Sequence, residues 1–221
     1  MIAVIDYDMG NVGSILNMLR KIGAPAKLTS DPNDLNTANG LILPGVGAFD
    51  QGVRNLQAKD LLGPLEECVF GRKIPILGIC LGMQLLTKNS EEGNLPGLGW
   101  IDAQTRKFKF SGESNRLRIP QMGWNYITPR RPSTTTSPTL SNRLFAESGP
   151  DSKFYFVHSY HVDCADQNDV LATASYGNEF HAAIGRGNIA GTQFHPEKSL
   201  RYGLQLMRSF VNCVTMSEKP A

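Results

Sequence analysis

Apolar positions in the first half of the chain fall into short runs separated by stretches of helical spacing. Residues 2–7 (Ile-Ala-Val-Ile-Asp-Tyr) form an apolar run that ends in polar residues, as a buried parallel strand does. From Asn11 to Ile22, Val12, Ile15, Leu19 and Ile22 recur at helical spacing, and Gly23 supplies a C-terminal stop. Residues 26–29 and 41–43 predict two more strands, the latter closed by Pro44-Gly45-Val46-Gly47. A helical pattern covers Gly52 to Phe70, Ile74 to Ile79 predicts a fourth strand, and Gln84-Leu85-Leu86 opens another helix. Strands alternating with helices predict an α/β fold, an open and mostly parallel sheet flanked by helices.

The second half changes character. Residues 99–110, 124–128, 154–158, 170–175, 180–185 and 189–194 predict strands joined by short turns, an antiparallel extension of the sheet. A last helix is expected from Leu200 to Cys213, with Leu200, Leu204, Met207, Phe210 and Val211 on one face. The Pro/Ser/Thr-rich stretch 129–141 predicts a polar loop rather than a boundary, because strands resume on either side. The expectation is a single domain over residues 1–221, without internal repeats.

Composition narrows the picture. The chain is 41% hydrophobic and 19% charged, with a formal net charge of +2. No Lys/Arg cluster marks a nucleic-acid footprint; Arg130-Arg131 is the densest basic pair and sits in the polar loop. No run approaches the roughly 18–20 apolar residues of a membrane helix, and the start lacks the features of a signal peptide, so a cytoplasmic protein is expected. The four cysteines, Cys68, Cys80, Cys164 and Cys213, form no CxxC pair, so neither a disulfide scaffold nor a zinc site is indicated. No metal or cofactor is expected.

Cys80 stands apart because of its neighbours. Gly78-Ile-Cys80-Leu-Gly82 lies between a predicted strand and a predicted helix. A strand-to-helix turn this tight strains its central residue and needs small neighbours, the logic of a nucleophile elbow. It also puts the sulfur at a sheet's carboxyl edge and at a helix N-terminus, whose partial positive charge favours a thiolate. A thiolate nucleophile needs a base, and the base an orienting group. Gln193-Phe-His195-Pro-Glu197 closes the strand at 189–194 and supplies both, His195 as base and Glu197 as its carboxylate. None of His158, His161 and His181 has a carboxylate two residues on with a proline between. Acyl transfer further needs oxyanion donors. The backbone N–H groups of Val46 and Gly47, at another strand end, and of Leu81, next after the nucleophile, are the candidates. Gln84, one helical turn past Cys80, points back toward the same place.

Gly78-Ile-Cys80-Leu-Gly82-Met-Gln84 together with Gln193-Phe-His195-Pro-Glu197 resembles the class I (triad) glutamine amidotransferases. Asp6-Tyr-Asp-Met-Gly10-Asn11, Pro44-Gly-Val-Gly47-Ala-Phe49, Pro120-Gln-Met-Gly-Trp124-Asn125 and Tyr155-Phe-Val-His158-Ser-Tyr160 narrow the resemblance to the glutaminase subunits of imidazole glycerol phosphate synthases. It covers nearly the whole chain. It implies hydrolysis of L-glutamine through a thioester on Cys80, with the ammonia passing to a separate (βα)8-barrel synthase subunit in a heterodimer. The resemblance also implies that Gln84 contacts the substrate and that an acidic residue at Glu92 meets its α-ammonium, with Glu91 as the competing choice. Ser159 and Tyr160 would hold its α-carboxylate. Gln121, Met122 and Trp124 would face the barrel, although many relatives carry His where this chain has Gln121. A glutaminase that runs alone wastes glutamine, so the site is expected to be poorly formed without the partner. Rival readings are a glutaminase serving another ammonia-using enzyme, such as pyridoxal phosphate synthase, a non-catalytic scaffold, and a cysteine peptidase of similar fold.

Overall fold

A computed structural model describes residues 1–130, 139–149 and 151–216. Five strands form its parallel heart: β1 (Ile2–Ile5), β2 (Ala26–Thr29), β3 (Gly40–Gly45), β4 (Ile76–Cys80) and, from the far end of the chain, β13 (Ile189–Thr192). They lie in the order β2-β1-β3-β4-β13, every neighbouring pair parallel. β1, β3, β4 and β13 are buried throughout because both faces are covered, whereas β2 at the edge is only partly buried. Val4, Ile42, Leu77 and Ile79 join one core with Ile15 and Leu19 of α1 (Val12–Lys21) and with Leu206, Met207 and Phe210 of α7 (Leu200–Met216). Ala3, Ile5, Leu41, Leu43 and Ile76 turn to the other face, against Leu35 of the short α2 (Pro32–Leu35), Val53 and Leu56 of α3 (Phe49–Ala58), Leu65 of α4 (Leu62–Glu66) and Met83 and Leu85 of α5 (Leu81–Leu85).

Beyond β13 the sheet continues antiparallel through β12 (Asn178–Arg186), β10 (Tyr160–Cys164) and β6 (Ala103–Lys107), with the two-residue β5 (Asn89–Ser90) at the edge. β11 (Val170–Tyr176) pairs with β12 and with the short β8 (Thr128–Pro129). A separate two-stranded ribbon joins β7 (Gln121–Tyr126) to β9 (Lys153–His158) in antiparallel register. The mixed architecture expected from the pattern is present. No helix among the described residues is long and apolar enough to cross a membrane.

Several boundaries differ from expectation. The helix expected over 52–70 is two helices, because Pro64 cannot donate to the turn before it; the chain restarts at Leu62, so that Pro64 falls in a first turn. Asp60, with φ +53°, makes the break. The helix expected to open at Gln84 begins at Leu81 and ends at Leu85, so Gln84 lies near its end. β10 was not expected: its buried Val162 and Cys164 alternate with polar His161 and Asp163, and Ser159 is where the chain leaves the ribbon for the main sheet. Of the polar loop expected over 129–141, residues 131–138 lie outside the described residues; Pro129 ends β8, and α6 (Leu140–Arg143) begins near its other end.

Candidate active site

β4 lies between β3 and β13, with Gly45 opposite Cys80 and Thr192 opposite Ile79. Neighbouring strands are roughly 4.8 Å apart. Three strand ends therefore bring the Gly45–Gly47 segment, Cys80 and His195 side by side at the carboxyl edge of the parallel sheet, where open α/β folds place their sites.

Cys80 has φ +55° and ψ −109°, a conformation that a side chain resists. Its flanking glycines explain how the turn survives. A Cβ on Gly82 would fall 1.8 Å from the Leu43 carbonyl oxygen, and one on Gly78 would fall 2.7 Å from the Gly82 oxygen. The Leu81 N–H opens α5 immediately after the sulfur, among the first-turn donors that a helix leaves free.

His195 and Glu197 are both almost fully buried, and His195 Nδ1 donates to Glu197 Oε1 at 2.8 Å. The backbone of His195 is fixed as well. Its N–H donates to the Tyr155 carbonyl at 2.9 Å, and Ser199 Oγ donates to the His195 carbonyl at 2.5 Å while accepting from the Tyr155 N–H at 3.0 Å. Burial alone would push the His195 imidazole down. Hydrogen bonding to Cys80 and Glu197, with their charges, outweighs it and raises the imidazole from 6.5 to about 10. The other ring nitrogen, Nε2, is buried and meets no partner with full hydrogen-bond geometry, so the approach of Cys80 is a loose one.

The remaining histidines move the opposite way. Burial drives His158 down to about 3, despite its Nδ1–H donating to the Tyr160 carbonyl at 2.7 Å, and burial also lowers His161 and His181. Of the four, only His195 is tuned to accept a proton from a thiol. Burial pushes Cys164 up to about 12 and raises Cys68 and Cys213, so these stay inert thiols.

A pocket of about 310 Å³ opens over Cys80, walled by Val46, Gly47, Leu81, Gln84, Glu92, Ser159 and Tyr160 among others. All the residues proposed from sequence for the oxyanion and for the substrate thus meet at one cavity. Glu91 does not: it faces away, accepting from the Lys107 N–H at 2.9 Å and pairing with Lys109 at 3.2 Å. Gln84 is buried, and its amide donates to Gln193 Oε1 at 3.1 Å and to the Tyr160 carbonyl at 3.3 Å. Gln193 in turn donates to Cys80 Sγ at 3.7 Å. Sequence reasoning assigned Gln193 no role, although it stands two residues before the candidate base. Tyr7 was missed too; fully buried, it donates its hydroxyl to the Pro44 carbonyl and steadies the strand end next to Val46. No cluster of His, Cys, Asp or Glu among the described residues is arranged to hold a metal ion.

On the ribbon, alternation sorts the three residues expected at a partner surface. Met122 is 66% exposed and Trp124 43%, while Gln121 is 3% exposed and faces inward opposite His158. Gln121 therefore offers no surface to a partner, a correction that follows from the two-residue period of the strand.

The chain was compared with known proteins. The family model for class-I glutamine amidotransferases matches residues 3–213. Imidazole glycerol phosphate synthase subunit HisH 2 of Methanococcus maripaludis is 51% identical over 211 residues, covering 96% of this chain and 98% of that protein. The subunit of the same name from Pseudomonas aeruginosa is 44% identical over 214 residues, covering 97% and 100%. A crystal structure of a glutamine amidotransferase superposes with a TM-score of 0.71 at 17% identity, covering 97% and 100%, a likeness of fold alone.

Proposed function

Because the chain belongs to the class-I glutamine amidotransferase family, we propose that the Cys80 pocket hydrolyses L-glutamine and that the ammonia is used by a synthase subunit. The observation that carries the residue assignment is the pairing of a strained thiol with the one histidine whose imidazolium is stabilised. His195 takes the Cys80 proton, and the thiolate attacks the glutamine side-chain carbonyl. The oxyanion that forms meets the N–H of Leu81 and an N–H from the Val46–Gly47 segment. Collapse gives a thioester, and the departing nitrogen receives the proton from His195 and leaves as ammonia. Water then attacks the thioester with His195 as base, releasing glutamate and restoring the thiol. Glu197 holds the Nδ1–H tautomer and stabilises the imidazolium.

On this reading Glu92 meets the α-ammonium and Ser159 and Tyr160 hold the α-carboxylate, which their common place in the pocket wall supports, and Gln84 orders the site through its bond to Gln193. The relatives at 51% and 44% identity are named as subunits of imidazole glycerol phosphate synthase. The chain accordingly works in histidine biosynthesis, supplying ammonia for the formation of imidazole glycerol phosphate and an aminoimidazole carboxamide ribonucleotide. Its partner is a (βα)8-barrel synthase subunit bound one to one, and Met122 and Trp124 face it.

The test is Cys80→Ala in the reconstituted complex. Glutamine-dependent synthesis is lost, and synthesis from added ammonium salt survives. Glutamine use retained by the variant would overturn the assignment.

A further inference from the structure

The start of α3 and the turn after β5 are bracketed by two carboxylates that reach in opposite directions. Glu92 Oε2 accepts from the N–H of Phe49, the first residue of α3, at 2.9 Å. Asp50, the next residue of that helix, reaches back to the turn. Its Oδ1 accepts from the N–H groups of Asn94 and Leu95, both at 3.0 Å, and its Oδ2 accepts from Asn94 at 3.1 Å. The two amides, Leu95 foremost, hold the Asp50 carboxyl below the usual carboxylate range. Gly93 lies at the crossing point. A Cβ there would stand 1.9 Å from Asp50 Oδ1, and its three nearest atoms would all belong to Asp50. Glu92 lines the glutamine pocket, whereas Asp50 stands behind it.

We propose that Asp50 is a positioning residue for glutamine: by holding the Asn94 and Leu95 amides it fixes the turn that presents Glu92 to the substrate's α-ammonium. The proposal deepens the glutaminase reading above and rests on it. Without Asp50 the two amides turn to water and the 91–95 turn keeps the single Glu92–Phe49 bond as its tie to α3, beside its local bonds to Ser90. The Glu92 carboxylate, less firmly held, meets the ammonium less well. Cys80 and His195 sit on other elements, β4 and the segment after β13, so the effect falls on substrate binding rather than on the chemical steps.

The experiment measures glutamine hydrolysis by the full chain assembled with its synthase subunit, for Asp50→Ala, Asp50→Asn, Gly93→Ala and the double variant Asp50→Ala/Gly93→Ala. Asp50→Ala raises KM for glutamine about tenfold and changes kcat less than about threefold. Asp50→Asn, whose Oδ1 still accepts both amides, keeps KM within about twofold. Gly93→Ala displaces the Asp50 carboxylate and reproduces the KM increase, yet adds under about twofold once Asp50 is alanine. Normal ammonia-dependent synthesis by each variant shows that the assembled enzyme is intact. An unchanged KM in Asp50→Ala, an Asp50→Asn as impaired as the alanine variant, or fully additive effects of Gly93→Ala would each overturn this proposal alone. Absence of glutamine hydrolysis in the unsubstituted complex would overturn the glutaminase reading, and this proposal with it.

Discussion

The reactivity of this site is set by what surrounds one imidazole. His195 is buried, which by itself disfavours its charged form, yet the thiol on one side and the Glu197 carboxylate on the other raise it to about 10. The stabilised species is the imidazolium. Its contribution is fully present below the ordinary 6.5 and is lost as pH rises through about 10. In the proposed mechanism the imidazolium is also the acid that protonates the departing nitrogen, which ties it to the same pH window as turnover. Glu197→Gln keeps the shape of the carboxylate and removes its charge. This variant loses on the order of 10²-fold in kcat. Its alkaline limb of kcat/KM for glutamine moves to lower pH, because one of the two supports of the imidazolium is gone. A pH profile whose alkaline limb stays in place would show that Glu197 acts on His195 by geometry alone.

At the scale of elements, the order β3-β4-β13 does the assembling, and it was only half legible in the sequence. The elbow at Cys80 and the His195–Glu197 pair announce themselves because tight turns need particular residues at fixed spacing, as Gly82 does against the Leu43 carbonyl. The register that sets Gly45 beside Cys80 and Thr192 beside Ile79 does not, since it joins segments 35 residues apart on one side and 113 on the other. For the same reason Gln193 and Tyr7 escaped notice: each acts on a neighbour far along the chain. Glu91 and Glu92 could not be told apart by adjacency, and the turn after β5 sends one to Lys109 and the other into the pocket. Gln121 was placed at the partner surface by resemblance, in a stretch expected to precede a strand starting at 124; β7 instead begins at Gln121, and the parity of its alternation turns that residue inward. That parity puts Met122 and Trp124 on one outer face with Val157 and Tyr155 across from them, and the Trp124 and Tyr155 rings meet edge to face at 6.2 Å. Trp124→Ala weakens binding of the synthase subunit by about 10–100-fold. The stability of the free chain falls by no more than about 1.5 kcal/mol, the worth of the edge-to-face contact with Tyr155. Titration calorimetry with the purified synthase subunit and urea unfolding of the free chain read the two quantities separately, and unchanged affinity would remove the ribbon from the interface.

In the molecule as a whole, the ribbon is also a wall of the pocket. Val157 and His158 at the end of β9, and Pro120 just before β7, line the cavity over Cys80, while Met122 and Trp124 of β7 face outward. Tyr155 adds a direct tie, since its carbonyl accepts the His195 N–H and its N–H donates to Ser199. A partner seated on the outer face of the ribbon therefore presses on groups one residue away from the candidate base and from the substrate. The opposite wall is built to respond. Tyr7 pins the Pro44 carbonyl, but Val46 is 43% exposed and Gly47 has φ +117°, so the peptide between them can turn its N–H toward or away from Cys80. An oxyanion donor gained or lost is worth about 10²–10³ in kcat. We therefore expect the free chain to release glutamate slowly, and the complex with its synthase subunit and nucleotide to do so at least about tenfold faster. We expect Trp124→Ala to lower this stimulation even at subunit concentrations that saturate the complex, the outcome for a ribbon that transmits the partner's contact as well as providing it. Glutamate release measured for the free chain, the complex, and the complex with nucleotide decides the matter; equal rates in all three would mean that the site is fully formed in the isolated chain.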